Sequence, residues 1–434
     1  MKKLIKYINE TILVKINSLR AAAVFTRIMA GLLTSKAIAV FIGPEGLALI
    51  GNLRNFVTSA QTIATLGFYK GIVKYVDQFK DDLVRLSKLL STVYYVGFIT
   101  TVLVSFFCYF KADYINFLIF PSYNNYAYII KIFAFVLPFY ALNMFTFSIM
   151  NGFSKYKILI IINIIGQILS LSIALLLIYQ RNLDGALISV AISESLIFLI
   201  TLVGIINRRS LVPLLNVEQV SVSYLKKLAP FSGMVLFSAV ILPLVILTIR
   251  TYIIDTIGYK EAGFWEAMIR ISKYYLMFVS SMMGLYIIPR FSKINDIKEF
   301  KKEVFSLYKI IVPVLGAGLL IIYLLKSVII NVVFTEEFEP VEGLFLWQLL
   351  GDFVKVLSMI IAYQFLAKKM FWHYIVTEAF LVVMLYITSI YFIKTNGVEG
   401  AVIGHFVSYV MYYGVILLIF GSSLFGVDIA KNNN

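Results

Sequence analysis

IGPEGLALIGNLRNFVTSAQTIATLGFYKGIVKY, residues 42–75, is an apolar stretch of membrane length that carries an arginine in its interior. A helix rising about 1.5 Å per residue crosses the hydrocarbon with about 20 apolar residues. Gly46 to Gly67 supplies that length, and by the same rise Arg54 stands roughly 12 Å in from the outer end. Arg54, Thr58, Gln61 and Thr65 recur at i, i+4, i+7 and i+11, one helix face, with Asn52 and Asn55 beside them. An arginine turned to lipid costs about 2.5–3.5 kcal/mol on insertion scales. The stripe is therefore expected to line a hydrated cavity, and the cavity to bind an anion.

The rest of the chain is built the same way. Its 434 residues are 61% hydrophobic and 14% charged, with mean hydropathy +0.91, usage far outside the globular range and typical of an integral membrane protein. Aromatic residues reach 15%, which fits interfacial belts and cavity walls. One cysteine, Cys108, excludes an internal disulfide, and no Cys/His cluster offers metal ligands. Residues 1–18 lack a cleavage site, and Leu4, Ile5, Ile8, Ile12 and Ile16 share one face, as in an amphipathic helix lying at the interface. About twelve apolar spans follow. They lie near 19–42, 46–67, 87–109, 127–150, 157–179 and 185–206, then 228–250, 263–288, 304–332, 343–367, 372–392 and 397–420. Residues 207–227 form a linker between the two sixes, and 421–434 a tail.

Loop charge sets the orientation. Alternate connections hold Lys70, Lys74, Lys80, Arg85 and Lys88; Lys155 and Lys157; Arg208, Arg209, Lys226 and Lys227. The same side takes Arg290, Lys293, Lys298, Lys301 and Lys302, then Lys368 and Lys369. The opposite side carries Gly43-Pro44-Glu45, the neutral 113–126 loop, and Glu336, Glu337, Glu339 and Glu342. Under the positive-inside rule both termini are cytoplasmic, and the net charge of +15 is topological, with no nucleic-acid partner. A repeat runs through the chain: Gly46 and Gly67 recur as Gly263 and Gly284, and LDGALI at 183–188 as VEGAVI at 398–403. The offsets are 217 residues from Gly46 to Gly263 and 215 from Gly185 to Gly400. Two six-span copies of one orientation imply a parallel repeat, with the substrate site expected at the interface of the halves.

Charges fall inside the spans: Arg27, Arg54, Glu194, Arg270, Lys273, Asp352, Lys355 and Glu378, with His405 as a neutral candidate. Glu266, Arg270 and Lys273 stand at i, i+4 and i+7 on one helix face, and Gln348, Asp352 and Lys355 share a face at the same spacing. At about 3 kcal/mol each, these groups would prevent insertion if all faced lipid, so they are expected to share a polar interior. Glu266–Arg270 and Asp352–Lys355 read either as pairs tying helices together or as functional groups. Lys36 and Arg250, near span ends, read as snorkelling to the headgroups. His405 reads as a hydrogen-bonded core residue or a proton carrier; Glu194 and Glu378 either titrate or neutralise an arginine. Basic residues outnumber acidic ones in mid-span, and arginine's planar fork suits phosphate oxygens. No phosphate-binding loop and no soluble domain appear, so solute movement rather than catalysis is the expectation.

Residues 42–79, IGPEGLALIGNLRNFVTSAQTIATLGFYKGIVKYVDQF, and 345–380, FLWQLLGDFVKVLSMIIAYQFLAKKMFWHYIVTEAF, together with the LDGA and VEGA copies, resemble Wzx-type flippases of polysaccharide biosynthesis. The likeness covers nearly the whole chain and is nearest the branch of O-antigen and lipid III (enterobacterial common antigen) flippases. It implies the multidrug/oligosaccharidyl-lipid/polysaccharide exporter fold: an all-α membrane protein of two six-helix bundles in a V around a central cavity. It also implies an undecaprenyl-diphosphate-linked oligosaccharide substrate, moved from the cytoplasmic to the periplasmic leaflet of the inner membrane of a Gram-negative bacterium. Polymerase and chain-length proteins would be the partners, with no cofactor. On that reading Arg27, Arg54, Arg270, Lys273 and Lys355 take the diphosphate, and Asn52, Asn55, Gln61, Gln348 and Tyr363 the sugars. Glu194, Asp352, Glu378 and His405 are the candidates for ion coupling. Multidrug cation exporters of the same superfamily are the competitor, but they tend to place an acid in the first span, where this chain has Arg20, Arg27 and Lys36. A non-transporting scaffold would have no need of buried arginines.

Overall fold

The computed structural model describes residues 2–120, 125–205, 216–283, 287–294 and 296–425, and the regular structure in them is helical. The first part of the chain forms α1 (Lys2–Phe41), α2 (Gly43–Ala64), α3 (Tyr69–Phe79), α4 (Leu83–Phe110), α5 (Ala112–Ile119), α6 (Ala127–Gly152) and α7 (Tyr156–Ile205). Then come α8 (Val222–Thr256), α9 (Tyr259–Met282), α10 (Ile288–Lys293), α11 (Ile297–Leu324) and α12 (Lys326–Val333). A 3-10 segment at Glu336–Leu344 leads into α13 (Phe345–Ala367), α14 (Phe371–Asn396), α15 (Glu399–Ile419) and α16 (Gly421–Phe425). Gly284 and Tyr286 of the repeat, residues 207–215 of the linker, residues 426–434 of the tail, and the side chains of the amphipathic segment 1–18 lie outside the described residues.

Among the described residues, nine helices are long and apolar enough to cross a membrane. Neither α2 nor α9 is one of them; α9 carries Lys260, Glu261, Glu266, Arg270 and Lys273 within 24 residues. The stretch Tyr156–Val203 counts once although its helix breaks at Asn182, where φ is 48° and ψ −121°. Counting α2, α9 and both arms of α7 is what raises nine to the twelve expected from sequence.

The local signals explain the boundaries. Pro44 sits in the first turn of α2, where its missing N–H costs no helical bond, and Glu45 faces the helix's positive end. The helix ends where Leu66 and Gly67 turn left-handed (φ 53° and 58°), and the Gly67 amide reaches back to the Thr62 carbonyl at 3.0 Å. Asp82 opens α4 by accepting the Arg85 amide at 3.0 Å.

The sequence repeat is also a geometric one. Ser154 and Lys369, 215 residues apart, both take left-handed φ (59° and 56°). Asn182 and Gly397, again 215 apart, take φ 48° and 61° with ψ −121° and −144°. Just beyond each corner stands the motif glycine. A Cβ on Gly185 would lie 1.9 Å from the Leu177 carbonyl oxygen, and one on Gly400 2.1 Å from that of Phe392. Only a hydrogen fits in either place, so both copies of the D/E-G-A motif build one helical hairpin corner.

The chain groups into two compact units: Met1–Ile42 with Leu49–Pro243, and Gly43–Ala48 with Leu244–Asn434. In the first, an apolar core joins Ile72, Val76 and Phe79 of α3 to Leu86, Leu89 and Val93 of α4, Phe145 and Ile149 of α6, and Leu228 of α8. In the second, the core joins Phe291 of α10, Phe300 and Val304 of α11, Ile360 and Phe365 of α13, and Tyr412 and Ile416 of α15. The first turn of α2 belongs to this second unit, where Gly263 of α9 meets the backbone of Pro44 so closely that a Cβ would stand 1.9 Å from its oxygen.

Candidate functional site: buried polar clusters within membrane helices

Asp352 is the hub of the second unit. Its side chain is wholly buried on α13, and every described partner donates to it. Ser272 Oγ of α9 donates to Oδ2 at 2.5 Å and Gln348 Nε2, one turn earlier in α13, at 3.1 Å; the Tyr275 hydroxyl of α9 donates to the same oxygen. His405 Nε2 of α15 meets Oδ1 at 3.1 Å. A buried carboxylate keeps its charge only when donors replace water, and here they come from three helices. The cluster therefore fastens α9, α13 and α15 together. Beyond it His405 packs edge-on against Tyr409 (4.8 Å between centroids), and Lys355 Nζ stands 5.3 Å from the Tyr409 ring. Glu378 lies within electrostatic reach of Lys355.

A second cluster holds two guanidinium groups on one carboxylate. Arg250 Nη2 of α8 bonds Glu266 Oε2 at 2.5 Å, and Arg270 Nε bonds Glu266 Oε1 at 3.2 Å from one turn further along α9. All three side chains are essentially inaccessible, and Arg250 also faces the Trp265 ring at 5.5 Å. Among the described residues Arg270 Nη2 has no hydrogen-bond acceptor. The snorkelling expected of Arg250 is thus overturned: Glu266 gives it a buried acceptor one helix away, which outweighs the reach to the headgroups. The interhelical pair is Arg250–Glu266, while Glu266–Arg270 stays within α9 and Asp352 takes its closest partners from Ser272, Tyr275, Gln348 and His405. Lys36 is half-buried.

In the first unit the polar face of α2 is used mostly inside the protein. Asn52 Nδ2 donates to the Ile119 carbonyl at 2.9 Å and Ser59 Oγ to that of Ala239 at 3.0 Å. Thr58, Thr62 and Thr65 each return their hydroxyl to the carbonyl one turn back, at 2.8 Å. Asn55 and Gln61 are buried, and Asn55 Nδ2 finds no acceptor among the described residues. Arg54 is half-buried beside them.

Of the residues expected to take a diphosphate, Arg270 is buried and Arg54 and Lys355 half-buried, while Arg27 and Lys273 present their side chains outside the protein interior. Of those expected to take sugars, Gln348 is committed to Asp352 and Asn52 to Ile119, and Tyr363 is half-buried on α13. Of the coupling candidates, Asp352 and His405 touch, Glu378 lies near Lys355, and Glu194 is exposed on α7. Sequence reasoning missed Ser272, Tyr275, Arg250 and Gly351. The first two lie three apart on α9, a spacing that could have marked them, but Ser and Tyr are common in membrane helices. Gly351 leaves the room His405 needs; a Cβ there would stand 2.4 Å from His405 Cδ2. Among the described residues no group of three or more His, Cys, Asp or Glu is placed to hold a metal ion.

The family model described as "Polysaccharide biosynthesis protein" matches residues 37–342. The chain is 26% identical over 411 residues to the lipid III flippase of Escherichia coli (strain K12), covering 92% of this chain and 96% of that protein. It is 23% identical over 317 residues to a putative O-antigen transporter of Shigella flexneri, covering 69% and 71%. In fold it is similar to the lipid II flippase MurJ in an inward closed conformation (TM-score 0.70, 15% identity, 94% and 87% covered). It is equally similar to an inward-facing multidrug transporter of the MATE family (TM-score 0.70, 14% identity, 91% and 95% covered). The chain belongs to the polysaccharide biosynthesis protein family.

Proposed function

We propose that this protein is a flippase for undecaprenyl-diphosphate-linked oligosaccharide repeat units of the O-antigen or lipid III type. It carries them from the cytoplasmic to the periplasmic leaflet of a Gram-negative inner membrane by alternating access. Twelve spans in two six-helix halves, 19–206 and 228–420, with residues 207–227 as linker and both termini cytoplasmic, complete the proposal. The reading rests above all on the arginine pair held on one carboxylate inside membrane helices, Arg250 and Arg270 on Glu266. Such a cationic interior suits a phosphate-bearing head and repels the cations a drug exporter carries. Arg27, Arg54, Arg270, Lys273 and Lys355 serve the diphosphate, and Asn52, Asn55, Gln61, Gln348 and Tyr363 the sugar hydroxyls. The lipid tail remains in the bilayer, and polymerase or chain-length proteins receive the product.

The chemistry is binding and reorientation, with no bond made or broken. Asp352, His405, Glu378 and Glu194 are the groups through which a proton gradient would act; Asp352 and His405, in contact, are the pair best placed to exchange one. Expression in strains that lack either the lipid III or an O-antigen flippase tests the function: the matching surface polymer returns. Failure in every such strain, combined with efflux of cationic dyes, would favour the exporter reading.

A further inference from the structure

In the second unit α11 and α13 leave a cleft between them of about 400 Å³. Both helices belong to stretches long and apolar enough to cross a membrane. Pro313 interrupts the hydrogen bonding of α11, and three residues further on Gly316 presents no side chain. Each helix lines the cleft at i, i+3 and i+7, with Gly316, Leu319 and Tyr323 from α11 and Leu346, Leu349 and Phe353 from α13. At about 1.5 Å per residue the cleft runs roughly 10 Å along the helices. Leu319 and Leu349 are buried and form its floor, while Leu320, Leu346 and Leu350 at the rim are exposed. A Cβ on Gly316 would stand 3.8 Å from the Phe353 ring, an ordinary contact, so a longer side chain there would enter the cleft. Of the lining side chains only Tyr323 carries a polar group. Lys326 Nζ stands 5.4 Å from its ring and 3.7 Å from Glu342 Oε2, a charged pair that marks where the two helices leave the hydrocarbon.

Such walls offer water too few hydrogen-bond partners, and an apolar cavity of about 150 Å³ stays dry yet admits benzene. By that measure the 400 Å³ cleft takes roughly two or three groups of five or six carbons. Lipid hydrocarbon is as apolar as leucine, so an occupant gains from contact with the walls rather than from leaving water. Shape then selects the occupant. The recess at Gly316 accepts a methyl branch, which a straight acyl chain lacks. Helix α13 also ties the cleft to the polar interior. Gln348, Asp352 and Lys355 share one of its faces, and Leu346, Leu349 and Phe353 lie on the other.

We propose that the α11–α13 cleft seats roughly two or three isoprene units of the polyprenyl tail of the transported lipid, on the bilayer side of the second unit. The proposal rests on the flippase reading for the identity of the lipid, and on the walls of the cleft for the seat. A tail held against α13 raises the effective concentration of its head at the protein, without any new contact to the head itself.

The test uses the full chain in neutral detergent with a diazirine-bearing undecaprenol, which has the tail and no phosphate, followed by photolysis and peptide mass spectrometry. Label is expected on residues 316–323 and 346–353, displaced by undecaprenyl diphosphate and not by dioleoylphosphatidylcholine. Gly316→Phe fills the cleft and should cut the label about tenfold. Gly414→Phe, at an open position on α15, should leave it unchanged. In proteoliposomes Gly316→Phe should slow flipping of an undecaprenyl-diphosphate glycan roughly three- to tenfold, while an analogue with an unbranched tail moves equally in variant and wild type. If Gly316→Phe fails to fold, Leu350→Trp at the exposed rim carries the same test. No label in the cleft, equal displacement by the phosphatidylcholine, or a folded Gly316→Phe that loses the label yet flips the branched lipid at the wild-type rate overturns the proposal. A wild type that takes the label there but moves no diphosphate lipid overturns the flippase reading and still supports a polyprenyl seat.

Discussion

The residue on which most turns is Asp352. Its carboxylate satisfies Ser272, Tyr275, Gln348 and His405 together, so removing it orphans four groups in a dry interior. Asp352→Ala is expected to destabilise the protein by about 3–5 kcal/mol, the cost typical of breaking a buried charged network from one side. Asp352→Asn, which keeps the shape and loses the charge, should cost less. Thermal unfolding in detergent measures both, and equal, small shifts would show that the network holds little. Gly351→Ala addresses the same contact from behind. Its methyl must displace His405, at a cost of about 1–3 kcal/mol for overpacking, and Gly351→Ala/His405→Ala should recover part of that loss. Sequence marked Asp352, Gln348 and His405 because charge in a membrane span announces itself. It did not mark Ser272 and Tyr275, which are ordinary lipid-compatible residues until a carboxylate is placed opposite them. Arg250 was misread for a related reason. Its distance from the span end was legible, but the acceptor on the next helix was not.

At the scale of elements, the two hairpin corners show what the repeat encodes. Gly185 and Gly400 each lie against the backbone of the helix they turn from, at Leu177 and Phe392. Gly185→Ala and Gly400→Ala should therefore both destabilise strongly, each forcing the helices of its hairpin apart. Gly414→Ala is the contrast, since nothing stands within 4 Å of a Cβ there, and it should be neutral or gain up to about 1 kcal/mol of helix propensity. Equal effects at all three positions would show that the corners are not close-packed. The repeat was readable because glycine at a backbone crossing has no substitute, so its spacing persists where other residues drift. The expected spans 127–150 and 343–367 match α6 and α13 closely, whereas 228–250 falls short of α8 (Val222–Thr256) at both ends and 304–332 runs past the end of α11 at Leu324. For α2 and α9 apolarity was a weaker guide: most of their polar residues are satisfied by neighbours and by their own carbonyls, Asn55 Nδ2 and Arg270 Nη2 excepted among the described residues, and composition does not reveal this.

For the whole molecule, composition and loop charge were enough to identify a multi-pass membrane protein, and the family match places it among polysaccharide biosynthesis proteins. The polar stripe of α2 was legible as a stripe, but its threonines turned out to bond their own helix. The central claim is that buried cations handle a phosphate-bearing lipid head. Arg270→Ala tests it; Glu266 keeps Arg250 as a partner, but the lost side chain is buried, so stability has to be measured alongside. The decisive measurement is the flipping rate of a fluorescent undecaprenyl-diphosphate glycan in proteoliposomes, for wild type, Arg54→Ala and Arg270→Ala, with folding checked by thermal unfolding. Loss of a charge-assisted contact of about 1.5–3 kcal/mol should slow flipping roughly ten- to a hundredfold in each variant. Folded variants that flip this lipid at the wild-type rate would contradict the account.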